Sequence, residues 1–111
     1  MKNNAICDAH CDTVLALCKK HREMGKLSSE GHLDIPRLKK GLVDVQVFAV
    51  YIEKQFKPKR SLHRALQLID CLLLEFEKNS DSIELAYTFQ DIERIVSNKK
   101  IAALIAIEGG E

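Results

Sequence analysis

The run Val43-Asp44-Val45-Gln46-Val47-Phe48-Ala49-Val50-Tyr51-Ile52 is rich in β-branched and aromatic residues and apolar on nearly both faces. That is the pattern of a strand buried in a parallel sheet, covered on either side. Asp44 and Gln46 interrupt it on one shared face. Polar groups inside such a strand need partners, and the interior of a barrel carrying a polar site would supply them. A second run of the same kind, Ile101-Ala102-Ala103-Leu104-Ile105-Ala106-Ile107, lies near the other end of the sequence. Residues 5–10 form a shorter apolar strand at the start.

Helical periodicity fills the spaces between these strands. Asp12 or Thr13 can cap a helix whose apolar positions Val14, Leu17, Cys18 and His21 recur at helical spacing. Residues 24–32 hold Gly25, Ser28, Ser29 and Gly31 and read as a loop. Asp34-Ile35-Pro36 supplies an N-cap with proline in the first turn, and Gly41 stops the short helix that follows. Ser61 opens a longer helix with Leu62, Ala65, Leu66, Ile69, Leu72, Leu73 and Phe76 along a broad apolar stripe. Residues 83–87 suit a short extended segment. Thr88 with Asp91 resembles a capping box, opening a helix through Ile92, Ile95 and Val96.

Strand, helix, strand, helix, strand is the signature of right-handed βαβ units on a parallel sheet, so the fold class is α/β. The chain has 111 residues, the length of one domain, and shows no linker or internal repeat. A complete (β/α)8 barrel needs roughly 200–250 residues. The expectation is therefore the N-terminal portion of such a TIM-like barrel, about three βα units and incomplete.

Chemistry concentrates at two strand ends. In Asp8-Ala9-His10-Cys11-Asp12, alternation along a strand would send Asp8, His10 and Asp12 the same way. An imidazole and a carboxylate two residues apart can grip one metal ion together. Glu108 ends the last apolar run and is followed by Gly109 and Gly110, leaving a carboxylate beside flexible backbone. Both places are C-terminal strand ends, the edge on which α/β sheets and barrels carry their sites. His10, Asp12 and Glu108 are the candidate metal ligands. Asp8 is the candidate for orienting the imidazole from behind.

The bulk composition excludes several partners. With 46% hydrophobic residues, 30% charged residues and a formal net charge of +1, nothing favours nucleic acid or an anionic membrane. The basic runs Lys39-Lys40 and Lys57-Pro58-Lys59-Arg60 read as solvated loop or helix-end charge. No apolar run reaches the ~18–20 residues of a spanning helix, and no signal-peptide pattern follows Met1. A cytoplasmic location is expected. Cys7, Cys11, Cys18 and Cys71 match no zinc or secreted-disulfide spacing and are read as reduced thiols. Cys7 and Cys11 are expected on the strand face opposite His10, as small core residues under a helix. His21, His32 and His63 sit on helix or loop positions and are assigned surface roles.

Asp8-Ala9-His10-Cys11-Asp12, then Asp34-Ile35-Pro36-Arg37-Leu38-Lys39-Lys40-Gly41-Leu42-Val43 leading into Gln46-Val47-Phe48-Ala49-Val50-Tyr51, then residues 101–107 with Glu108-Gly109-Gly110, resemble the zinc dipeptidases of the membrane (renal) dipeptidase family. The similarity runs the length of the chain in the family's order and spacing. It implies a distorted (β/α)8 barrel, with residues 1–111 as the N-terminal part of its single domain. It also implies two zinc ions at the barrel mouth, a water bridging them, and dipeptide substrates that include some with a D-residue at the C-terminal position. Within that resemblance His10 and Asp12 correspond to ligands of one metal and Glu108 to the carboxylate bridging both. The family's remaining metal histidines, and the histidine and arginine that hold substrate, fall beyond Glu111. Glu111 itself stands where the best-known animal members have histidine, which points to bacterial-type members. Dimers are common in the family, so a second copy is a candidate partner. The isolated fragment is expected to be inactive.

Two alternatives stand beside this reading. One is another barrel amidohydrolase acting on a cyclic amide or lactone, although Asp12 replaces the second histidine of that group's usual His-x-His opening. The other is a non-catalytic α/β module that binds a partner through its helical faces.

Overall fold

A computed structural model describes residues 4–20 and 22–110. His21, expected on the apolar side of the first helix, and Glu111 lie outside the described residues. Four strands form one all-parallel sheet: β1 (Ile6–Asp8), β2 (Val43–Tyr51), β3 (Ile83–Leu85) and β4 (Ile101–Glu108), in the order β1-β2-β4-β3. The helices are α1 (Thr13–Lys20), α2 (Ile35–Lys40), α3 (Ser61–Lys78) and α4 (Phe89–Ser97), with a 3-10 turn at Lys54–Phe56. The fold is therefore α/β with a parallel sheet. The extended segment expected near residue 83 is a fourth strand, and it lies outside β4 rather than between β2 and β4.

Local chemistry sets the helix bounds. The Asp34 carboxylate accepts from Arg37 N at 2.9 Å and from Ser28 N at 3.3 Å, and Gly41 ends α2 with its N–H on Arg37 O. Asp34 is fully buried. Burial pushes its carboxyl upward, but the Arg37 and Ser28 N–H groups and the Arg37 guanidinium outweigh it and hold the group below its ordinary value. At α4 the Thr88 hydroxyl accepts from Asp91 N while the Asp91 carboxylate accepts from Thr88 N, a complete capping box.

The sheet separates two cores. Partners across the β2–β4 ladder point the same way, so Val45 and Ala102 face one side while Phe48 and Ile105 face the other. On the second side Phe48, Val50 and Ala103 pack under Val14 and Leu17 of α1, Leu38 of α2, and Leu68, Leu72 and Phe76 of α3. On the first side Val45, Ala86 and Ala102 pack against Ile95 and Val96 of α4. That cover reaches only the N-terminal ends of the strands. Toward the C-terminal end of β4, residues 106–108 are exposed.

Several expectations change. Asp44 and Gln46 share the face of Phe48 and Val50, under the helices, and find partners there rather than in a polar barrel interior. Asp44 Oδ2 accepts from Ile6 N at 3.0 Å, and Gln46 Nε2 donates to Val47 O at 3.1 Å and to Asp8 O at 3.5 Å. Both bonds to the first strand stitch it to β2. In α3 the stripe is displaced: Leu68 is fully buried, whereas Leu62, Leu66 and Leu73 are 73%, 57% and 41% exposed. The helix is apolar over more than the arc its neighbours can cover, and Arg64, paired with Glu53, and Glu75, paired with Lys78, occupy part of that arc.

The cysteines also depart from the reading as four reduced thiols. Cys18 of α1 and Cys71 of α3 form a disulfide with Cα atoms 6.0 Å apart. Their distance in sequence, 53 residues, matches no short motif, which is why spacing did not reveal it. Cys7 is exposed on the edge strand, where no helix covers it. Cys11 is half-buried against the helix-side core, and burial pushes its thiol up.

Candidate metal centre

β1 ends at Asp8, so His10 and Asp12 lie past the strand and not on it. A turn replaces strand alternation: Asp8 Oδ1 accepts the backbone N–H of His10 at 3.2 Å. Asp8 thus fixes the backbone that carries the imidazole, and does not bond the ring. Cys11 O then accepts from Ala49 N at 2.9 Å, tying the segment to β2 beyond the regular ladder. Asp12 is followed directly by the first residue of α1, and Leu15 N donates to its carbonyl at 3.3 Å.

Glu108 arrives from the last residue of β4, two strands away from β1. Its side chain reaches back toward the first strand. His10 Nε2 lies 3.3 Å from Asp12 Oδ1 and 3.7 Å from Glu108 Oε2. One donor atom from each of the three residues falls within 4.8 Å of the others, a grouping the sequence reading anticipated. All three side chains are about half exposed, at 54%, 60% and 47% for His10, Asp12 and Glu108.

The donor set suits a transition metal. One imidazole nitrogen and two carboxylate oxygens are donors of the kind zinc takes. Metal–ligand bonds of ~2.0 Å in a tetrahedral site put neighbouring donors ~3.3 Å apart. The two separations from His10 Nε2 are already near that value. Two carboxylates drawn to one point also repel each other, and a shared cation removes the repulsion.

A cavity of about 490 Å³ opens beside the cluster, lined by Asp8, His10, Asp12, Thr13, Arg22 and His32 among others. His32 therefore borders the site region without joining the cluster, and His63 is exposed on α3. The sequence reading missed Tyr51. It pairs with Glu108 across the β2–β4 ladder, so both occupy the same face at the same level, and Lys57 Nζ lies 5.2 Å from its ring centre. Its place at the C-terminal end of the longest strand was the available signal.

The family model for membrane dipeptidases (peptidase family M19) matches residues 1–111, the whole chain. The chain belongs to this family. Solved structures agree on the fold. This M19 chain superposes on dipeptidase AC, a metallopeptidase of the same family, with a TM-score of 0.85 at 23% identity, covering 99% of this chain and 36% of that one. A metallopeptidase from Rhodobacter sphaeroides, liganded with a phosphinate mimic of the dipeptide L-Ala-D-Ala, gives 0.85 at 20% identity, covering 99% and 39%. The probable dipeptidase PvdM from Pseudomonas aeruginosa gives 0.79 at 15% identity, covering 95% and 28%. The M19 chain thus spans between 28% and 39% of the length of these relatives.

Proposed function

We propose that His10, Asp12 and Glu108 hold zinc in a dipeptidase whose barrel is completed by further strands. The observation that carries this is the meeting of three donor atoms, within 4.8 Å of one another, from opposite ends of an M19 chain. His10, as neutral imidazole, offers its Nε2 lone pair. Asp12 and Glu108 supply the negative charge that retains a dication. Glu108 has two oxygens, enough to serve a pair of ions. Asp8 keeps the His10 backbone turned so that Nε2 faces Glu108. Bound zinc supplies Lewis acidity, polarising a scissile carbonyl and making water acidic enough to act as nucleophile near neutral pH. No side chain of this chain is then needed as nucleophile.

The substrate reading is a dipeptide, with L–L and L–D forms both accepted. It is supported by the family and by the L-Ala-D-Ala mimic seated in the Rhodobacter sphaeroides relative. The test is hydrolysis of L-Ala-L-Ala and L-Ala-D-Ala by the full-length protein, after chelation and again after zinc is restored. Zinc should restore turnover, and His10→Ala and Glu108→Ala should abolish it. Wild-type turnover in both variants would refute the assignment. Residues 1–111 alone should not turn over dipeptides, because the described residues bring together one donor cluster and the proposed centre takes two ions. Measurable hydrolysis by the 111-residue chain would overturn that part.

A further inference from the structure

We propose that the Cys18–Cys71 disulfide is a thiol-exchangeable brace on the metal-holding segment, so that its reduction weakens the grip of His10 and Asp12 on a cation. The metal half of this inference rests on the function proposed above.

The segment that carries His10 and Asp12 is tied to β2 by a few bonds, from Ile6 N to Asp44, Gln46 Nε2 to Asp8 O and Ala49 N to Cys11 O, and runs directly into α1. β1 is three residues long and lies at the sheet edge. α1 has eight residues, a length at which a helix is marginal without tertiary support. Its support comes from Val14 and Leu17 in the core, from the Lys19 Nζ to Glu53 Oε1 contact at 3.0 Å, and from the bond to Cys71. α3, at the other end of that bond, is anchored by fully buried Leu68 and Leu72. The disulfide therefore ties a weakly held helix to a firmly held one. Cys18 lies five residues into α1 from Thr13, roughly 7–8 Å along the helix axis. A displacement at Cys18 is carried to the helix start, and so to Asp12.

The bond is also reachable. Both cysteines are half-buried and border a surface cleft of about 290 Å³, together with Leu17, Leu74, Glu75 and Lys78. A low-molecular-weight thiol such as glutathione fits the chemistry. Its thiolate attacks one Sγ, breaking the Sγ–Sγ bond and leaving a mixed disulfide and a protein thiolate, which takes up a proton. A second thiolate attacks the small-molecule sulfur of that mixed disulfide, releasing the small-molecule disulfide and the second protein thiolate, which is protonated in turn. Two electrons and two protons pass from two thiols to Cys18 and Cys71, and the reverse exchange restores the brace.

The experiment uses the full-length protein. Alkylation and peptide mapping without reductant should find Cys18 linked to Cys71, and native incubation with glutathione should free both. In metal-free protein, amide exchange in α1 should be about tenfold faster in the reduced state, with the centre of α3 unchanged. Co2+ titration should then show about tenfold weaker binding for Cys18→Ser/Cys71→Ser than for oxidised wild type. Chemically reduced, desalted wild type serves as the second reduced form if the serine variant does not fold. Free alkylation of both Cys18 and Cys71 without reductant, a bond that glutathione leaves intact, or equal α1 exchange in both states would each overturn the brace. Equal Co2+ affinity in both states would overturn the coupling to metal. An oxidised protein that binds no Co2+ would instead refute the metal reading, while α1 exchange still reports on the brace.

Discussion

Replacing Glu53 by glutamine removes the charge from a buried ion pair just past the end of β2. Glu53 accepts from Arg64 Nε at 2.9 Å and Nη2 at 2.8 Å, a two-pronged contact between side chains only 10% and 11% exposed. The Arg64 hydrogen bonds outweigh burial and, with help from Lys19, hold the Glu53 carboxyl at about 2, against an ordinary value of 4.5. At about 1.4 kcal/mol per unit that depression is worth ~3 kcal/mol, and solvent screening at the half-exposed Lys19 brings it to about 2–3 kcal/mol. A depressed folded-state value means the contribution is complete above pH 4.5 and is lost as pH falls toward 2. Glu53→Gln should therefore lower stability by about 2–3 kcal/mol at pH 7, because the amide leaves Arg64 one neutral acceptor in place of two charged oxygens. Urea denaturation followed by circular dichroism, on wild type and variant at several pH values, measures this. The two stabilities should converge between pH 4.5 and 2. A loss under about 1 kcal/mol at pH 7, or a gap that stays constant across that window, would refute the reasoning.

Three further outcomes test other levels. Leu68→Ala, at a fully buried position, should cost about 2–5 kcal/mol, whereas Leu62→Ala on the exposed flank should stay within about 0.5 kcal/mol, both read from urea midpoints. Thr88→Ala should lose about 1 kcal/mol through the α4 cap, and Thr88→Ser should recover most of it. Dialysis against a chelator should strip metal from wild type, and Glu108→Ala should retain at least about tenfold less zinc than wild type at equal free zinc, by elemental analysis.

How far the sequence could be read depended on the range of the forces involved. α2 was legible to the residue, because Asp34, Pro36 and Gly41 act on backbone within one turn of themselves. The same holds for Thr88 and Asp91 at α4. β2 and β4 were legible because two-sided burial writes itself as continuous apolar sequence. The buried arc of α3 was not, since which leucines are covered depends on neighbours distant in sequence. Likewise no local signal ties Cys18 to Cys71 or sends β3 to the far side of β4. At the candidate centre the three donors were readable from residue type and their placement at strand ends. The means of bringing them together was not: His10 is aimed by a turn held on Asp8, and Tyr51 joins the neighbourhood only through ladder register.

β3 has a consequence for how the sheet can close. It pairs with β4 only from Ile101 to Ala103, and one further bond runs from Ala86 N to Ala103 O. Along residues 104–108 the outer rim of β4 has no strand beside it among the described residues. A strand adding there must enter above β3, offset by about three residues or ~10 Å along the strand direction. Stagger of this kind tilts strands and rolls a ribbon into a cylinder. A stub of three residues thus dictates the pitch at which the next stave is set, on the rim that carries Glu108.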